Sequence, residues 1–390
     1  MSGETVLTNA SIVLDEEVRH GSVLIRDGLI ADIGSGPSAA GVDLGGDHLL
    51  PGLVELHTDH LERHFIPRPG VHWDPLPAAL ASDAQLAAAG ATTVLDAVRI
   101  GSASNQNDAA AEAARVLADS IEQAAGAGLL RADHAIHVRC EVSAADCLDA
   151  FSEFGDDPHV RLVSLMDHTP GQRQYADMEL FKRYQIGKGN VTESGFAAYV
   201  APLIEQSARY AGVHRRTIAA LAAQRGITLA THDDATPEHV AESVELGVRI
   251  SEFPTTVLAA GAADKRGQLI VMGAPNIVRG GSQSGNVAAA ELLSLGLLQI
   301  LSSDYVPSSP LQAVFQLWAD GAMGLADGAK LVSGNPARAV GLDDRGEIAI
   351  GKRADLVQVR PHDLPPSGRH PRGRRVPVVR SVYRQGARVS

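Results

Sequence analysis

The sequence predicts an α/β fold, namely a (β/α)8 barrel of the TIM type with a small β-sandwich domain built from both ends of the chain. From residue 53 to residue 304, short apolar runs alternate with helical patterns, which is typical of repeated β-α units around a parallel sheet. The runs number eight, as this barrel requires. Further strand-like segments precede and follow them.

Residues 5–50 are predicted to form short strands. Apolar and β-branched residues lie between Gly and Asp turns there, as in "TVLTNASIVL" and "GSVLIRDGLIADIG". Residues 346–360 and 375–389 have the same character. We therefore expect one small domain that comprises residues 1–50 and 345–390.

Each barrel strand is predicted from one apolar run. The runs are 53–59, 92–98, 134–142, 160–168, 227–234, 250–256, 269–276 and 298–304. Helical patterns separate most of them, and "PEHVAESVELG" ends on a glycine, as helices commonly do. A doubly wound sheet is the alternative, but no Gly-x-Gly-x-x-Gly loop follows the first strand. We assign residues 51–344 to the barrel.

One connection, residues 169–226, is much longer than the others. It contains the polar and aromatic stretch "PGQRQYADMELFKRYQIGKGN". Long insertions after a barrel strand lie over the active-site face. We therefore expect a lid at residues 169–212.

Composition and charge argue against several classes of protein. The 390 residues are 45% hydrophobic and carry a net charge of -12, which disfavours nucleic acid or an anionic membrane as a partner. We find no pattern of a signal peptide or a membrane span, and two cysteines cannot build a disulfide framework. A cytoplasmic protein is expected. The oligomeric state stays open, and a homodimer is compatible with the sequence.

Polar side chains lie at the carboxyl ends of the predicted barrel strands. They are His57, Asp59, Asp96, Glu141, Asp167, His168, His232, Asp233, Asp234, Asn276 and Asp304. In a parallel barrel these ends share one rim, so the side chains converge. Histidines and carboxylates are the ligands that first-row divalent ions use, and this mixture suits Zn2+, Mn2+ or Fe2+. The sequence therefore predicts a metal site with one or two ions, and we favour zinc.

The spacing of His57 and Asp59 supports this site. Residues i and i+2 of a strand point in the same direction, so both side chains face one point. His168, His232 and Asp304 recur at three other strand ends. We therefore expect these five residues to bind metal.

Asp304 is also predicted to be the general base. A divalent ion lowers the pKa of a bound water from about 15.7 toward about 7. A carboxylate beside both ion and water can accept the proton that the water loses. The expected chemistry is metal-assisted hydrolysis.

The segment "GAPNIVRGGSQSGN" (273–286) predicts either an anion-binding loop or an ordinary glycine-rich turn. Exposed backbone N–H groups beside Arg279 and Ser282 suit phosphate oxygens. Arg173 and Lys188 add cations past a strand end and in the expected lid, and Asp233 follows the fifth strand. We predict that these five residues bind an anionic substrate.

Several motifs resemble known families. "LPGLVELHTD", "AAAGATTVLDAV", "ILSSDYVP" and "GEIAIGKRADLVQV" resemble, in this order, landmarks of the amidohydrolase superfamily. "ELHTDHLERHFIPRPGVHW", "LVSLMDHTPGQRQY" and "VMGAPNIVRGGSQSGNVAA" resemble the diphosphatases of the carbon–phosphorus lyase pathway. The resemblance implies a metal-dependent hydrolase in phosphonate catabolism. Its anionic substrate would be alpha-D-ribose 1-methylphosphonate 5-triphosphate, cleaved to the 5-phosphate and pyrophosphate.

The chain departs from the superfamily pattern at three strands. The first strand offers His-x-Asp instead of His-x-His, the fourth offers Asp167 and His168, and the sixth has Phe253 beside Glu252 where a histidine is usual. Glu141 would complete the site, with Asp167 and Glu252 as alternatives. The predicted metal ligands are His57, Asp59, Glu141, His168, His232 and Asp304. His60 replaces an asparagine of the diphosphatases, and its role stays open.

Two other functions compete with this one. The first is an amidohydrolase that acts on another substrate, namely a cyclic amide, an amino-heterocycle or another phosphate ester. A non-catalytic scaffold in phosphonate degradation is the remaining alternative. The cations expected at the rim favour a highly charged substrate.

Overall fold

The computed structural model describes residues 3–102, 111, 113–175, 177–187, 189–282, 285–368 and 373–390. Across these ranges the strands form two sheets of eight strands each. One sheet is the predicted parallel barrel, and the other contains strands from both ends of the chain.

The barrel consists of strands β6 to β13, hydrogen-bonded in the order of the sequence. Their bounds are β6 (Leu53–Thr58), β7 (Ala91–Ile100), β8 (Asp133–Glu141), β9 (Val160–Met166), β10 (Thr228–His232), β11 (Ile250–Glu252), β12 (Leu269–Gly273) and β13 (Ile300–Ser302). A parallel bridge between Thr58 and Asp304 joins β6 to the end of β13. The barrel prediction is confirmed, since every predicted run overlaps one strand.

Helices surround the barrel. They are α1 (His60–Phe65), α2 (Pro75–Ala88), α3 (Ala114–Gly126), α4 (Cys147–Ser152), α5 (Met178–Gly187), α6 (Phe196–Gln224), α7 (Pro237–Glu245), α8 (Val257–Lys265), α9 (Ala274–Arg279), α10 (Ala289–Ser294), α11 (Ser309–Ala319), α12 (Leu325–Val332) and α13 (Gly334–Ala339). The ends of α7 follow local rules. The Thr236 side chain caps the N–H of His239, and Gly247 has the left-handed φ of +77° that stops a helix. Among the described residues, no helix combines the length and the apolar character that a membrane span requires.

The second sheet joins the two ends of the chain. Its strands are β1 (Glu4–Val13), β2 (Val18–Arg26), β3 (Leu29–Ser35), β4 (Val42–Asp43), β5 (His48–Pro51), β14 (Leu356–Leu364), β15 (Arg374–Arg384) and β16 (Ala387–Arg388). β5 pairs antiparallel with β14, and this pairing links the N-terminal strands to the C-terminal ones. Leu7, Ile12 and Val23 pack with Leu356 and Tyr383 in a common core. The predicted domain of both termini is therefore observed, while its boundaries stay a prediction.

An apolar layer fills the barrel below its carboxyl-terminal rim. The inward side chains come from most of the strands, and they include Leu56, Leu95, Leu162, Ile250 and Ile300. Each of these is at most 1% exposed. The layer closes the barrel interior from below, so the polar side chains at the rim face an opening on one side only.

The long connection after β9 contributes to that opening. A short 3-10 turn (Arg173–Tyr175) and α5 precede the long helix α6. Tyr184 of α5 lines the cavity at the rim, whereas Ile218 and Ala222 near the end of α6 pack against the outside of the barrel. The segment thus reaches the site, and its closure over a substrate stays a prediction.

A buried ion-pair cluster lies on the outer side of the barrel wall, where β7 and β8 face α2. Asp96 belongs to this cluster and not to the rim where we predicted it, because it lies in the middle of β7 and its neighbour Leu95 faces the barrel interior. His134 Nδ1 is 2.6 Å from Asp96 Oδ2, and its Nε2 is 3.2 Å from Asp83 Oδ1. Asp83 also accepts hydrogen bonds from the backbone N–H groups of Arg131 and Ala132. Burial opposes a charge on His134, but the two carboxylates outweigh it and raise its pKa to about 9.

This cluster predicts a pH-dependent stability. The pKa of His134 is higher in the folded state than its ordinary value of about 6.5. The charged His134 therefore stabilises the folded protein fully below pH 6.5, and this stabilisation disappears as pH rises to about 9. We expect the free energy of unfolding to fall by about 1 kcal/mol per pH unit in this window. Urea unfolding at pH 6.5 to 9 measures it. The slope should flatten in His134→Gln, and an equal slope in that variant would assign the effect to other groups.

Candidate active site

A cavity of about 350 Å³ opens at the carboxyl ends of the barrel strands. Its inner wall carries most of the residues that the strand-end pattern selected. These are His57, Asp59, His168, His232, Asp233 and Asp304. The parallel barrel therefore brings together side chains from its first, fourth, fifth and eighth strands, as predicted.

Three histidines in the cavity are held by two buried glutamates. Glu252 lies 2.7 Å from His57 Nδ1 with one oxygen and 2.8 Å from His232 Nδ1 with the other. Glu141 Oε2 lies 2.6 Å from His168 Nδ1. When each Nδ1–H donates to its carboxylate, the Nε2 lone pair is available to a ligand in the cavity. Glu141 thus lies behind His168 with both its oxygens engaged, and we reassign it from ligand to orienting group.

The carboxylates at the rim complete the metal-capable groups. Asp233 Oδ2 lies 3.5 Å from His232 Nε2 and 3.8 Å from His168 Nε2. These distances are too long for hydrogen bonds, but two ligands held about 2.1 Å from a tetrahedral ion are about 3.4 Å apart. Asp233 Oδ2 is buried and has no hydrogen-bond partner among the described residues. The group therefore fits a divalent ion.

A second group of candidate ligands also fits a divalent ion. His57 Nε2 lies 3.7 Å from Asp59 Oδ1, and Asp304 places an oxygen within reach of both. The two groups together provide three imidazoles and three carboxylates. The structure therefore provides candidate ligands for a divalent ion, and Asp233, which we predicted as a substrate contact, belongs to this set.

The same left-handed backbone conformation directs three side chains at the ends of strands. Asp233 follows β10 with a φ of +58°, and Phe253 follows β11 with a φ of +54°. Asp304 lies two residues past the end of β13 and has a φ of +52°. Each still donates its N–H to the neighbouring strand, for example Asp304 to the His57 carbonyl at 3.0 Å. A left-handed conformation costs these residues about 1–2 kcal/mol each. It ends the strand abruptly and turns the side chain across the barrel mouth.

Asp304 lies between the first and last strands. Its carbonyl accepts the N–H of Asp59 at 3.1 Å, so both carboxylates are fixed at the seam of the barrel. A Cβ at Gly273 would lie only 3.2 Å from Asp304 Oδ2, and glycine leaves room for the carboxylate. Burial, with a smaller contribution from Asp59, raises the pKa of Asp304 above its ordinary value although His57 opposes this shift. The geometry suits a proton acceptor.

Arg139 is a cavity residue that the sequence analysis missed. It lies on β8 between His137 and Glu141, and these three residues alternate along the inward face of the strand. Its Nη1 donates to Asp59 Oδ1 at 2.8 Å. Burial opposes its charge, but Asp59 and Glu252 raise its pKa above the ordinary value. Three polar residues at alternate positions of an apolar strand were the signal that could have identified it.

The predicted substrate contacts divide into three groups. Arg279 and Ser282 line the cavity, and Arg279 Nη1 donates to the Tyr305 hydroxyl at 3.4 Å. Arg173 is instead buried in an ion pair with Asp234 behind the end of β10. We therefore reassign Arg173 to support of that strand end. Lys188 lies outside the described residues.

Two residues of open role are buried beside the cavity. Asp167 accepts from Arg215 and Ser207, so its carboxylate is engaged away from the histidines. His60 begins α1, and burial lowers its pKa to about 4. Its Nε2 has no hydrogen-bond partner in the part of the chain that the structure describes. His60 is therefore a neutral residue that packs beside the site.

Comparisons with known proteins identify a family and a similar enzyme. The amidohydrolase family matches residues 196–390. Alpha-D-ribose 1-methylphosphonate 5-triphosphate diphosphatase of Escherichia coli (strain K12) is 46% identical over 356 residues, which are 90% of this chain and 94% of that protein.

Solved structures resemble the fold over its whole length. Dihydropyrimidinase from Brevibacillus agri NCHU1002 has a TM-score of 0.56 at 15% identity and covers 99% of this chain and 95% of its own. N-acetyl-D-glucosamine-6-phosphate deacetylase from Mycobacterium smegmatis has a TM-score of 0.61 at 16% identity, with 99% of each chain covered. At such identities the likeness concerns the fold alone.

Proposed function

The chain belongs to the amidohydrolase family, and on that premise we propose that it hydrolyses alpha-D-ribose 1-methylphosphonate 5-triphosphate to the 5-phosphate and pyrophosphate. The observation that carries this proposal is the 46% identity to the E. coli diphosphatase over 90% of the chain. The cavity supports it, because histidines and carboxylates face a wall that contains Arg139 and Arg279. Guanidinium groups suit the phosphoryl oxygens of a highly charged substrate.

A divalent ion fits the cavity, and we propose Zn2+, with Mn2+ or Fe2+ as alternatives. The residues that would hold one or two ions are His57, Asp59, His168, His232, Asp233 and Asp304. Such an ion supplies positive charge to phosphoryl oxygens and lowers the pKa of water.

The residues of the chain account for the remaining requirements of the reaction. Asp304 accepts a proton from the attacking water, whose oxygen forms a bond to the alpha-phosphorus. The bond from the alpha-phosphorus to the bridging oxygen breaks, and pyrophosphate leaves with that electron pair. Arg139 and Arg279 offset the negative charge of the phosphoryl groups. The apolar layer below the rim excludes water from the opposite side.

Product analysis tests this proposal. The purified protein is incubated with the triphosphate after chelation and again after addition of Zn2+ or Mn2+, and pyrophosphate and the 5-phosphate are quantified. We expect both products in equal amounts only with metal. Dihydrouracil serves as the neutral cyclic-amide control. A preference for dihydrouracil, or folded protein that is inactive with every metal, would contradict the proposal.

Arg279→Ala is expected to weaken substrate binding. The guanidinium lies at the cavity wall, and loss of a hydrogen bond to a charged group costs about 1.5–3 kcal/mol. KM for the triphosphate should therefore rise at least about tenfold, with a smaller change in kcat. Arg380→Ala on the exposed face of β15 is the matched control. An unchanged kcat/KM in Arg279→Ala would mean that the glycine-rich segment is a structural turn.

A further inference from the structure

Strand β11 holds the histidines of two other strands. Glu252 is its last residue and is 1% exposed. One oxygen accepts from His57 Nδ1 at 2.7 Å, and the other accepts from His232 Nδ1 at 2.8 Å. The hydroxyl of Ser164 also donates to the second oxygen at 3.0 Å. A single carboxylate therefore bridges the two metal-capable groups of the cavity.

The next residue fixes the rings of the same two histidines. His57 and His232 stack with centroids 5.8 Å apart and planes 18° from parallel. The Phe253 ring meets both edge-on, at 4.9 Å from His57 and 5.3 Å from His232. Its left-handed φ of +54° places the ring there. Because packing restricts both imidazoles, the hydrogen bonds at Nδ1 decide which nitrogen carries the proton.

The number of hydrogen-bond acceptors on the side chain at position 252 determines which ring nitrogen of His57 and of His232 carries the proton. A neutral imidazole can bind a metal through Nε2 only when Nδ1 carries the proton, and a buried Nδ1–H needs an acceptor. Two such imidazoles need two acceptors. A carboxylate offers two accepting oxygens, whereas a glutamine amide offers one oxygen and one NH2 donor. A glutamine would therefore force one histidine to present Nε2–H to the cavity.

We propose that Glu252 is a positioning residue that sets His57 and His232 in the Nδ1–H form together, so that strand β11 controls two ligands without contributing one. This inference rests on the proposed metal-dependent function. The short distances to both Nδ1 atoms identify Glu252 as a hydrogen-bond acceptor rather than a ligand, because an ion between these atoms would separate them further.

Glu252→Gln tests the proposal against Ser164→Ala. The glutamine keeps the size of the side chain but removes one acceptor. Ser164→Ala removes the hydrogen bonds that the neighbouring hydroxyl makes to Glu252 and His137, and it leaves both carboxylate acceptors in place. Zinc affinity is measured by competition with a chelating dye, and X-ray absorption counts the imidazoles on the ion. We expect Glu252→Gln to lose one imidazole and about 10- to 100-fold in affinity, while Ser164→Ala keeps the wild-type number.

Two results would overturn the inference. One is a wild-type imidazole count and affinity in Glu252→Gln, and the other is equal loss in both variants, which would reduce Glu252 to general packing. A wild-type protein that binds no zinc would instead remove the proposed metal site and this inference with it.

Nitrogen NMR of the histidine-labelled, zinc-loaded wild-type protein requires no variant. It should show the proton on Nδ1 of both His57 and His232. A proton on Nε2 of either ring would also overturn the inference, even if Glu252→Gln fails to fold.

Discussion

Asp304→Asn is expected to lower kcat by about 10²- to 10⁴-fold while the protein keeps its metal. Asparagine retains an oxygen at nearly the same place, and the other candidate ligands of the cavity are unchanged. It cannot accept the proton that the attacking water loses. Asparagine also tolerates the left-handed φ of +52° at this position, so the variant should fold.

The measurement combines kcat with metal content and thermal unfolding. Asp264→Asn at the exposed end of α8 is the control for the chemical change itself. If Asp304→Asn lost metal and activity in the same proportion, Asp304 would be chiefly a ligand. Retained metal with wild-type turnover would place the base elsewhere.

We expect Arg139→Met to lower kcat/KM by about 100-fold, which is the second large effect. Arg139 presents a fixed positive charge at the wall of the cavity, next to the Asp59 carboxylate. Methionine preserves much of the side-chain volume but removes the charge. Preorganised charge of this kind stabilises negative charge that develops during phosphoryl transfer.

Arg139→Lys separates charge from geometry. Lysine keeps the positive charge but replaces the planar fork with a single ammonium group. We expect an intermediate rate, measured beside metal content because Asp59 loses its 2.8 Å partner in the methionine variant. Wild-type kcat/KM in Arg139→Met, with unfolding at a lower temperature, would restrict Arg139 to stabilising Asp59.

The barrel was predictable because its signal is local and repeated. Most of the strands are short apolar runs that end at a polar residue, and helical patterns separate most of the eight runs in the sequence. The second sheet was predictable for the same reason. Its pairing of β5 with β14 joins segments about 300 residues apart, and no local pattern specifies that partner.

The location of the site was more predictable than the roles of its residues. His57 and Asp59 follow from strand alternation, but the positive φ of Asp233 does not, and it turns that carboxylate toward the histidines. Glu141 and Arg139 both face inward on β8. Their roles differ because Glu141 meets His168 Nδ1 and Arg139 meets Asp59, and these partners come from other strands. Sequence patterns locate side chains on a strand, whereas contacts between strands decide what each one does.

The bridge between Thr58 and Asp304 has a consequence for biosynthesis. The first and last barrel strands meet at this point, and Asp59 and Asp304 are fixed on either side of it. A nascent chain that has not yet released Asp304 from the ribosome lacks one wall of the cavity and the partner of its first strand. Strand β5 likewise lacks its antiparallel partner until β14 has been made. Every truncation before residue 304 therefore removes Asp304 together with the barrel closure.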